Sequence, residues 1–163
     1  LKAPQHLHTL DLLLEQFPGA QVILTHREPA QTIPSMASMA HTLWQMYSDN
    51  PDPKAAGAQW NTRMARGIRH TLQVREQHAP ERFLDIHFAD TVQQPLQVLE
   101  QVYAFAHLPF TEQARAAAQT WLAQNSREKR ASHDYSLERF GLTQAQMTED
   151  YREYRARHLS AHR

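Results

Sequence analysis

One short stretch of this chain combines a buried strand, an arginine and the start of a helix. Val22–Leu24 is an uninterrupted apolar run, as expected of a strand that is covered on both faces. Arg27 follows this run, and Ser35 lies eight residues after Arg27 on the helix that we predict next. Open α/β sheets bind ligands at the carboxyl ends of parallel strands, and a helix N-terminus attracts anions. The guanidinium and the hydroxyl therefore predict a phosphate site, and the ligand that we expect is a phosphorylated nucleotide.

Hydrophobic periodicity predicts helices that alternate with two strands. The second strand is Arg82–Phe88, and the long segment between the strands suits a parallel crossover. Pro34 disrupts a helix interior, so we place the first regular turn of the second helix near it. The fold class that we expect is α/β, a parallel sheet with flanking helices and a helix-rich C-terminal portion. The predicted helices are Gln5–Gln16, Ala30–Tyr47, 54–78, one that begins at Pro95, Thr111–Gln124, and a last one that follows a capping box at Thr143 and Gln146 and carries Met147, Tyr151, Tyr154 and His158.

Composition limits the possible classes of protein. The 163 residues suit a single domain, and 17 basic residues balance 17 acidic ones, which argues against a nucleic-acid partner. We interpret the arginine-rich helix around Arg66 as a solvated face. The absence of cysteine excludes disulfides, thiolate catalysis and cysteine-based zinc sites. No apolar run approaches the roughly 20 residues of a membrane span, and we favour a cytoplasmic location.

Five segments together resemble the sulfotransferase family, and they extend over almost the whole chain. The nearest branch is the bacterial-type group that is related to tyrosylprotein sulfotransferases. The Arg27/Ser35 spacing and the two end segments are specific in combination, whereas each alone is weak. The segments are Leu1–Leu7, Phe17–Ala20, His26–Pro29 with Ser35, Asp85–Asp90 and Ser132–Leu142.

This resemblance implies a P-loop-like fold that uses 3′-phosphoadenosine 5′-phosphosulfate (PAPS) as sulfuryl donor. Arg27 and Ser35 match the pair that binds the 3′-phosphate of the donor, and Lys2 resembles the lysine at its sulfuryl end. The basic loop that closes over the nucleotide corresponds to a segment in which Ala131 replaces the expected glycine, so the side chains there are better candidates than the amides. The candidate side chains of that loop are Arg127, Lys129 and Arg130.

One part of the family pattern has no counterpart in this sequence. The loop that binds the 5′-phosphosulfate lies upstream of the lysine motif and is rich in glycine, serine and threonine, whereas the chain has only four glycines and begins within the motif at Leu1. We therefore expect residues 1–163 to be the C-terminal portion of a single sulfotransferase domain in a longer protein. The alternative is a truncated, non-catalytic remnant that binds a nucleotide or another protein.

Two residues near the start of the chain are candidates for the chemistry of sulfuryl transfer. Lys2 would stabilise the charge on the leaving phosphate oxygen, and His6 would take the proton of the acceptor hydroxyl. A carboxylate from an upstream segment is an alternative base. For His26 we favour a packing role, because strand alternation points it away from Arg27. Sulfuryl transfer requires no metal, and we assign no metal site.

The aromatic residues on helical apolar faces are expected to lie in the core, and two of them have an alternative. Trp44 and Tyr47 could instead line a pocket for the acceptor, which we expect to be a hydroxyl or amine on a small molecule, a glycan or a peptide. The four core candidates are Trp44, Tyr47, Trp60 and Trp121.

Overall fold

The computed structural model describes residues 2–125 and 135–160. Within these ranges it contains two strands, eight α-helices and three short 3-10 turns. The strands are β1 (Val22–His26) and β2 (Phe83–His87). The helices are α1 (Leu10–Gln16), α2 (Pro29–Trp44), α3 (Pro53–Glu76), α4 (Phe88–Gln93), α5 (Pro95–Phe105), α6 (Glu112–Gln124), α7 (Gln144–Asp150) and α8 (Arg152–His158), and the 3-10 turns are Pro4–His8, Pro80–Arg82 and Glu138–Phe140.

The two strands pair in parallel, which confirms the predicted α/β class. Val22 lies opposite Phe83, and His26 lies opposite His87 at the carboxyl end. Two adjacent parallel strands need a long connection, and α2 and α3 lie within that connection. The carboxyl end of β1 therefore leads directly into α2, as the sequence predicted.

The prediction that β1 is covered on both faces is wrong for the part of the chain that the structure describes. Burial alternates along the strand, and Ile23 is 41% exposed while His26 is buried. In a strand, successive side chains point to opposite faces, so the alternation shows that only one face of β1 is covered. The sheet formed by the described residues has only two strands.

The chain forms two compact units. The first contains residues 2–20, 27–80 and 135–160, and the second contains residues 21–26 and 81–125. In the first unit, α2 and α3 pack against each other, and the C-terminal helices cover the same apolar cluster. The buried members of this cluster are Ile33, Ala37, Ala56, Ala65, Leu72, Phe140, Leu142, Met147, Tyr151 and Tyr154.

A close backbone approach fixes the C-terminal segment of the first unit on α3. A Cβ atom on Gly57 would lie only 2.0 Å from the carbonyl oxygen of Phe140, so glycine is what permits this contact. Phe140 is fully buried, and the next residue, Gly141, has a positive φ of 66° that ends the 3-10 turn. The glycines at these two positions therefore allow the C-terminal segment to lie directly on the helix.

Two of the predicted helices are interrupted, and a hydrogen bond to α3 lies beside each interruption. The first is interrupted at Thr9, and beside this break the Leu7 carbonyl accepts a hydrogen bond from the Thr71 hydroxyl at 3.2 Å. The last is interrupted at Tyr151, whose buried hydroxyl donates to the Asn61 carbonyl at 3.2 Å. By contrast, α2 starts at Pro29 and includes Pro34, so the expectation of a first turn near Pro34 is wrong.

In the second unit, helix ends follow local sequence signals. Thr111 accepts a hydrogen bond from the Ala114 amide and caps α6, as predicted. The C-terminus of α5 closes with His107 at φ 55°, and the Leu108 amide donates to the Tyr103 carbonyl. This is a Schellman motif with a histidine at the position that glycine usually occupies. The six-residue helix α4 lacks enough length for periodicity and was not predicted.

The aromatic predictions are only partly correct. Tyr47 is 86% exposed and Trp121 is 55% exposed, so neither lies in the core of the described chain. Trp44 and Trp60 are half-buried, and Trp44 packs against the apolar cluster of the first unit. Tyr47 lies beyond the end of α2, where the helical pattern from which its burial was predicted no longer applies.

Candidate functional site

Arg27 lies at the junction between the first strand and the second helix. It follows the last residue of β1 and precedes Glu28, the N-cap of α2. Its side chain is half-buried, and its Nε atom donates a hydrogen bond to Gln31 Oε1 at 3.1 Å. Because Gln31 is the third residue of α2, this bond holds the guanidinium beside the first turn of the helix.

Ser35 is the seventh residue of α2 and is half-buried. It therefore lies in the second turn of the helix and not at its start. It belongs to the helical face opposite the core, since Ile33 and Ala37 are buried whereas Met39, one turn beyond Ser35, is 56% exposed. Arg27 thus lies just before the N-cap of α2, and Ser35 lies in the second turn of that helix.

The N-terminus of α2 has few backbone donors to offer an anion. Pro29 has no N–H group, and the amides of Gln31 and Thr32 both donate to the Glu28 carbonyl, at 2.9 and 3.2 Å. The partial positive charge of the helix dipole remains at this end. Side chains must therefore provide most of the hydrogen bonds to any phosphate that binds here.

The side chain of Glu28 does not cap α2. Although Glu28 occupies the N-cap position, its carboxylate makes no capping hydrogen bond and instead forms an ion pair with Arg155 Nη1 of α8. The pair is partly buried, with the arginine side chain 19% and the glutamate side chain 31% exposed. It joins two residues of the first unit that are 127 positions apart in the sequence.

Lys2 and His6 lie on a different segment of the first unit. Lys2 is exposed just before the 3-10 turn Pro4–His8, and His6 is half-buried within that turn. This turn packs on the C-terminal half of α3, where a Cβ on Gly67 would lie 3.1 Å from the His8 ring. The structure therefore anchors this pair on α3, whereas Arg27 and Ser35 are positioned by α2.

A carboxylate–histidine pair follows directly after this turn. Asp11 Oδ1 lies 3.0 Å from His70 Nε2 on α3, and the hydrogen bond holds the pKa of the Asp11 carboxyl below its usual value. The pair attaches the start of α1 to α3 and leaves the acid ionised near neutral pH. The three predicted residues of the basic loop, Arg127, Lys129 and Arg130, lie outside the described residues.

Sequence reasoning missed two polar contacts near the end of β1. The first is the Glu28–Arg155 ion pair, for which no local sequence signal exists because of the separation of its partners. The second is a 2.7 Å contact between His26 Nε2 and Asp85 Oδ1 within the second unit. The packing role predicted for His26 is correct, since the residue is 5% exposed and its ring lies 5.5 Å from that of His87.

Comparison with known proteins identifies the family to which these features belong. The model of the sulfotransferase family matches residues 1–112, which is more than half of the chain. The chain belongs to the sulfotransferase family. No curated protein sequence matches it.

Two solved sulfotransferase structures are similar to the chain. The sulfotransferase STF9 from Mycobacterium avium is 26% identical with a TM-score of 0.86, and the match covers 96% of this chain and 41% of that one. The sulfotransferase STF1 from Mycobacterium tuberculosis H37Rv is 28% identical with a TM-score of 0.77, and the match covers 93% and 38% of the two chains. The chain therefore spans about two fifths of the length of either structure.

These similarities confirm the fold that the resemblance implied. The sulfotransferase chain has the P-loop-like α/β fold, with the parallel strand pair and a helix-rich C-terminal portion. Among the described residues, none of the helices combines the length and the apolar character that crossing a bilayer would require.

Proposed function

We propose that this chain forms part of a PAPS-dependent sulfotransferase that transfers a sulfuryl group to a hydroxyl or amine acceptor. The observation that carries the proposal is the arrangement at the β1–α2 junction of a sulfotransferase-family chain. There, Arg27 follows the strand and bonds to Gln31, and Ser35 lies on the outward face of the same helix. A guanidinium, a hydroxyl and a helix dipole together suit a phosphate group.

In this proposal, Arg27 and Ser35 bind the 3′-phosphate of the donor. Arg27 provides charge-assisted hydrogen bonds, and Ser35 adds a neutral one from the second turn of α2. The basic side chains of Arg127, Lys129 and Arg130 would close over the nucleotide and add positive charge. Side chains would thus supply the hydrogen bonds to the phosphate, because most of the amides at the N-terminus of α2 are already occupied.

The donor, when bound, supplies a sulfuryl group attached to a phosphate leaving group. We assign the proton transfer to His6, which would accept the proton as the acceptor oxygen or nitrogen bonds to sulfur and the bond from sulfur to the phosphate oxygen breaks. Lys2 would stabilise the negative charge that develops on that oxygen. Both residues are within reach of solvent, Lys2 being exposed and His6 half-buried, so an acceptor can approach this segment.

The deciding experiment measures the binding of adenosine 3′,5′-bisphosphate to the full-length protein that carries this chain. Arg27→Ala should weaken binding by about 2 to 4 kcal/mol, which is a rise in Kd of about 30- to 700-fold. Arg27→Lys should recover only part of the loss, because a lysine lacks the planar fork. Arg63→Ala, which removes an exposed arginine of α3, is the matched control and should leave Kd unchanged.

Two results would count against the proposal. An unchanged Kd in a folded Arg27→Ala protein would remove the phosphate assignment. Binding without transfer of sulfate to any hydroxyl or amine acceptor would favour the alternative, a non-catalytic nucleotide-binding module. Small phenols, sugars and a tyrosine peptide together cover the acceptor classes to be assayed.

A further inference from the structure

The N-cap of α2 carries a charge that works against the proposed phosphate site. A carboxylate close to a helix N-terminus interacts favourably with the positive end of the helix dipole. A carboxylate in that place occupies the position of a bound anion and repels one. Glu28 is the N-cap residue of α2, and it directly follows Arg27.

The structure shows that the carboxylate is held elsewhere. Glu28 makes no side-chain capping bond to α2, and its carboxylate is paired with Arg155 on α8. Arg155 thus pairs with the negative charge of Glu28 through a contact with α8. Since both side chains are partly buried, this pair is less screened by solvent than the other ion pair at the start of α8, Arg152–Glu149, in which the side chains are 76% and 68% exposed.

We propose that Arg155 is a positioning residue that keeps the N-terminus of α2 available for the 3′-phosphate by withholding the Glu28 carboxylate from it. The inference rests on the proposed function, because it concerns the same phosphate. Under this inference, α8 contributes to nucleotide binding through Arg155, although Arg155 itself need not contact the nucleotide. Loss of Arg155 would free the Glu28 carboxylate to move to the positive end of the α2 dipole, where it would compete with the ligand.

Arg155 could instead act only as a brace that holds α8 on α2. Adding Glu28→Gln to Arg155→Met distinguishes the two roles, because they predict different nucleotide affinities for the double variant. If Arg155 acts only as a brace, then Arg155→Met and the double variant Arg155→Met/Glu28→Gln lack the same bridge and bind the nucleotide equally weakly. If Arg155 acts by withholding the carboxylate, replacing that carboxylate with an uncharged amide of the same shape removes the competitor. The double variant then recovers binding although the bridge is still absent.

The test is calorimetric titration of adenosine 3′,5′-bisphosphate into the full-length protein, with melting temperature recorded for every variant. Arg155→Met should raise Kd about tenfold, because a released carboxylate competes for the anion position. The double variant with Glu28→Gln should return to within about twofold of the unmutated protein. Arg152→Met, which breaks the exposed pair on the same helix, is the control and should leave Kd unchanged.

The outcomes separate this inference from the proposed function. If the unmutated protein binds and Arg27→Ala abolishes binding, but Arg155→Met has no effect or is not rescued by Glu28→Gln, the inference is overturned and the proposed function stands. If the unmutated protein does not bind the bisphosphate, both are overturned. A fall in melting temperature that is equal in Arg155→Met and the double variant, together with rescued binding, is the result that the inference requires.

Discussion

Replacing Gly57 by alanine tests whether the contact between α3 and the C-terminal segment is as close as described. In an ordinary helix position this change stabilises a protein by about 1 kcal/mol. Here the new Cβ would lie 2.0 Å from the Phe140 carbonyl oxygen and 2.8 Å from the Phe140 Cβ, whereas real Cβ contacts stay above 3.0 Å. The segment must therefore move by at least the difference of 1.0 Å (3.0 minus 2.0).

The cost of this movement can be estimated from the burial of Phe140. The residue is fully buried, so displacing it strains a packed core, and such overpacking costs about 1 to 3 kcal/mol or more. Partial loss of the packing of a buried phenylalanine adds to this, since complete loss costs about 3 to 5 kcal/mol. After subtraction of the helix-propensity gain, we expect a net loss of about 2 to 3 kcal/mol. For a chain of 163 residues, this lowers Tm by roughly 5 to 10 °C.

Thermal unfolding and urea denaturation measure this loss, and Gly67→Ala on the same helix is the matched control. A Cβ on Gly67 would lie 3.1 Å from the His8 ring and 3.2 Å from the Leu7 Cβ. A shift of a few tenths of an ångström in the turn Pro4–His8 would relieve this contact. That variant should lose much less stability than Gly57→Ala, because all its new contacts lie beyond 3.0 Å. If Gly57→Ala melts at or above the temperature of the unmutated protein, the packing described here is wrong.

Two further predictions concern Tyr151 and His107. Burial raises the pKa of Tyr151 above its usual 10.0, so the unfolded chain loses the proton first and stability should fall as pH rises past that value. Tyr151→Phe should make urea midpoints between about pH 9 and 11 less sensitive to pH, and an unchanged slope would contradict the assignment. His107 has a positive φ of 55°, so His107→Gly should stabilise the protein by about 1 kcal/mol in the same assay. A loss of stability would show that the contacts of the His107 ring stabilise the protein by more than the backbone strain destabilises it.

Local sequence signals were sufficient for the strands and for the capped helices. The observed α3, Pro53–Glu76, lies within two residues of the predicted range because its apolar positions repeat over many turns. Thr111 caps α6 as predicted, and Thr143 accepts a hydrogen bond from the Gln146 amide at the start of α7. At these positions, the hydroxyl satisfies an amide within three residues, so no distant contact is needed to define the helix start.

The features that were missed depend on contacts between distant residues. Hydrogen bonds to α3 lie beside the helix breaks at Thr9 and Tyr151, and the periodic pattern continues through both breaks. The Glu28–Arg155 pair also joins residues that are far apart in the sequence, and neither residue has a distinctive local context. For the candidate site, the sequence correctly placed Arg27 after a strand, whereas Ser35 lies deeper in its helix than expected because Pro34 is accommodated inside α2.

The parallel pairing of β1 with β2 has a consequence for the order in which the protein can fold. Residues 27–82 separate the two strands, and an unstructured loop of that length must lose conformational entropy before the first strand–strand hydrogen bond forms. Docking of α2 on α3 doubles this segment back on itself and shortens the loop that remains to be closed. We therefore expect the sheet to form after α2 has docked on α3.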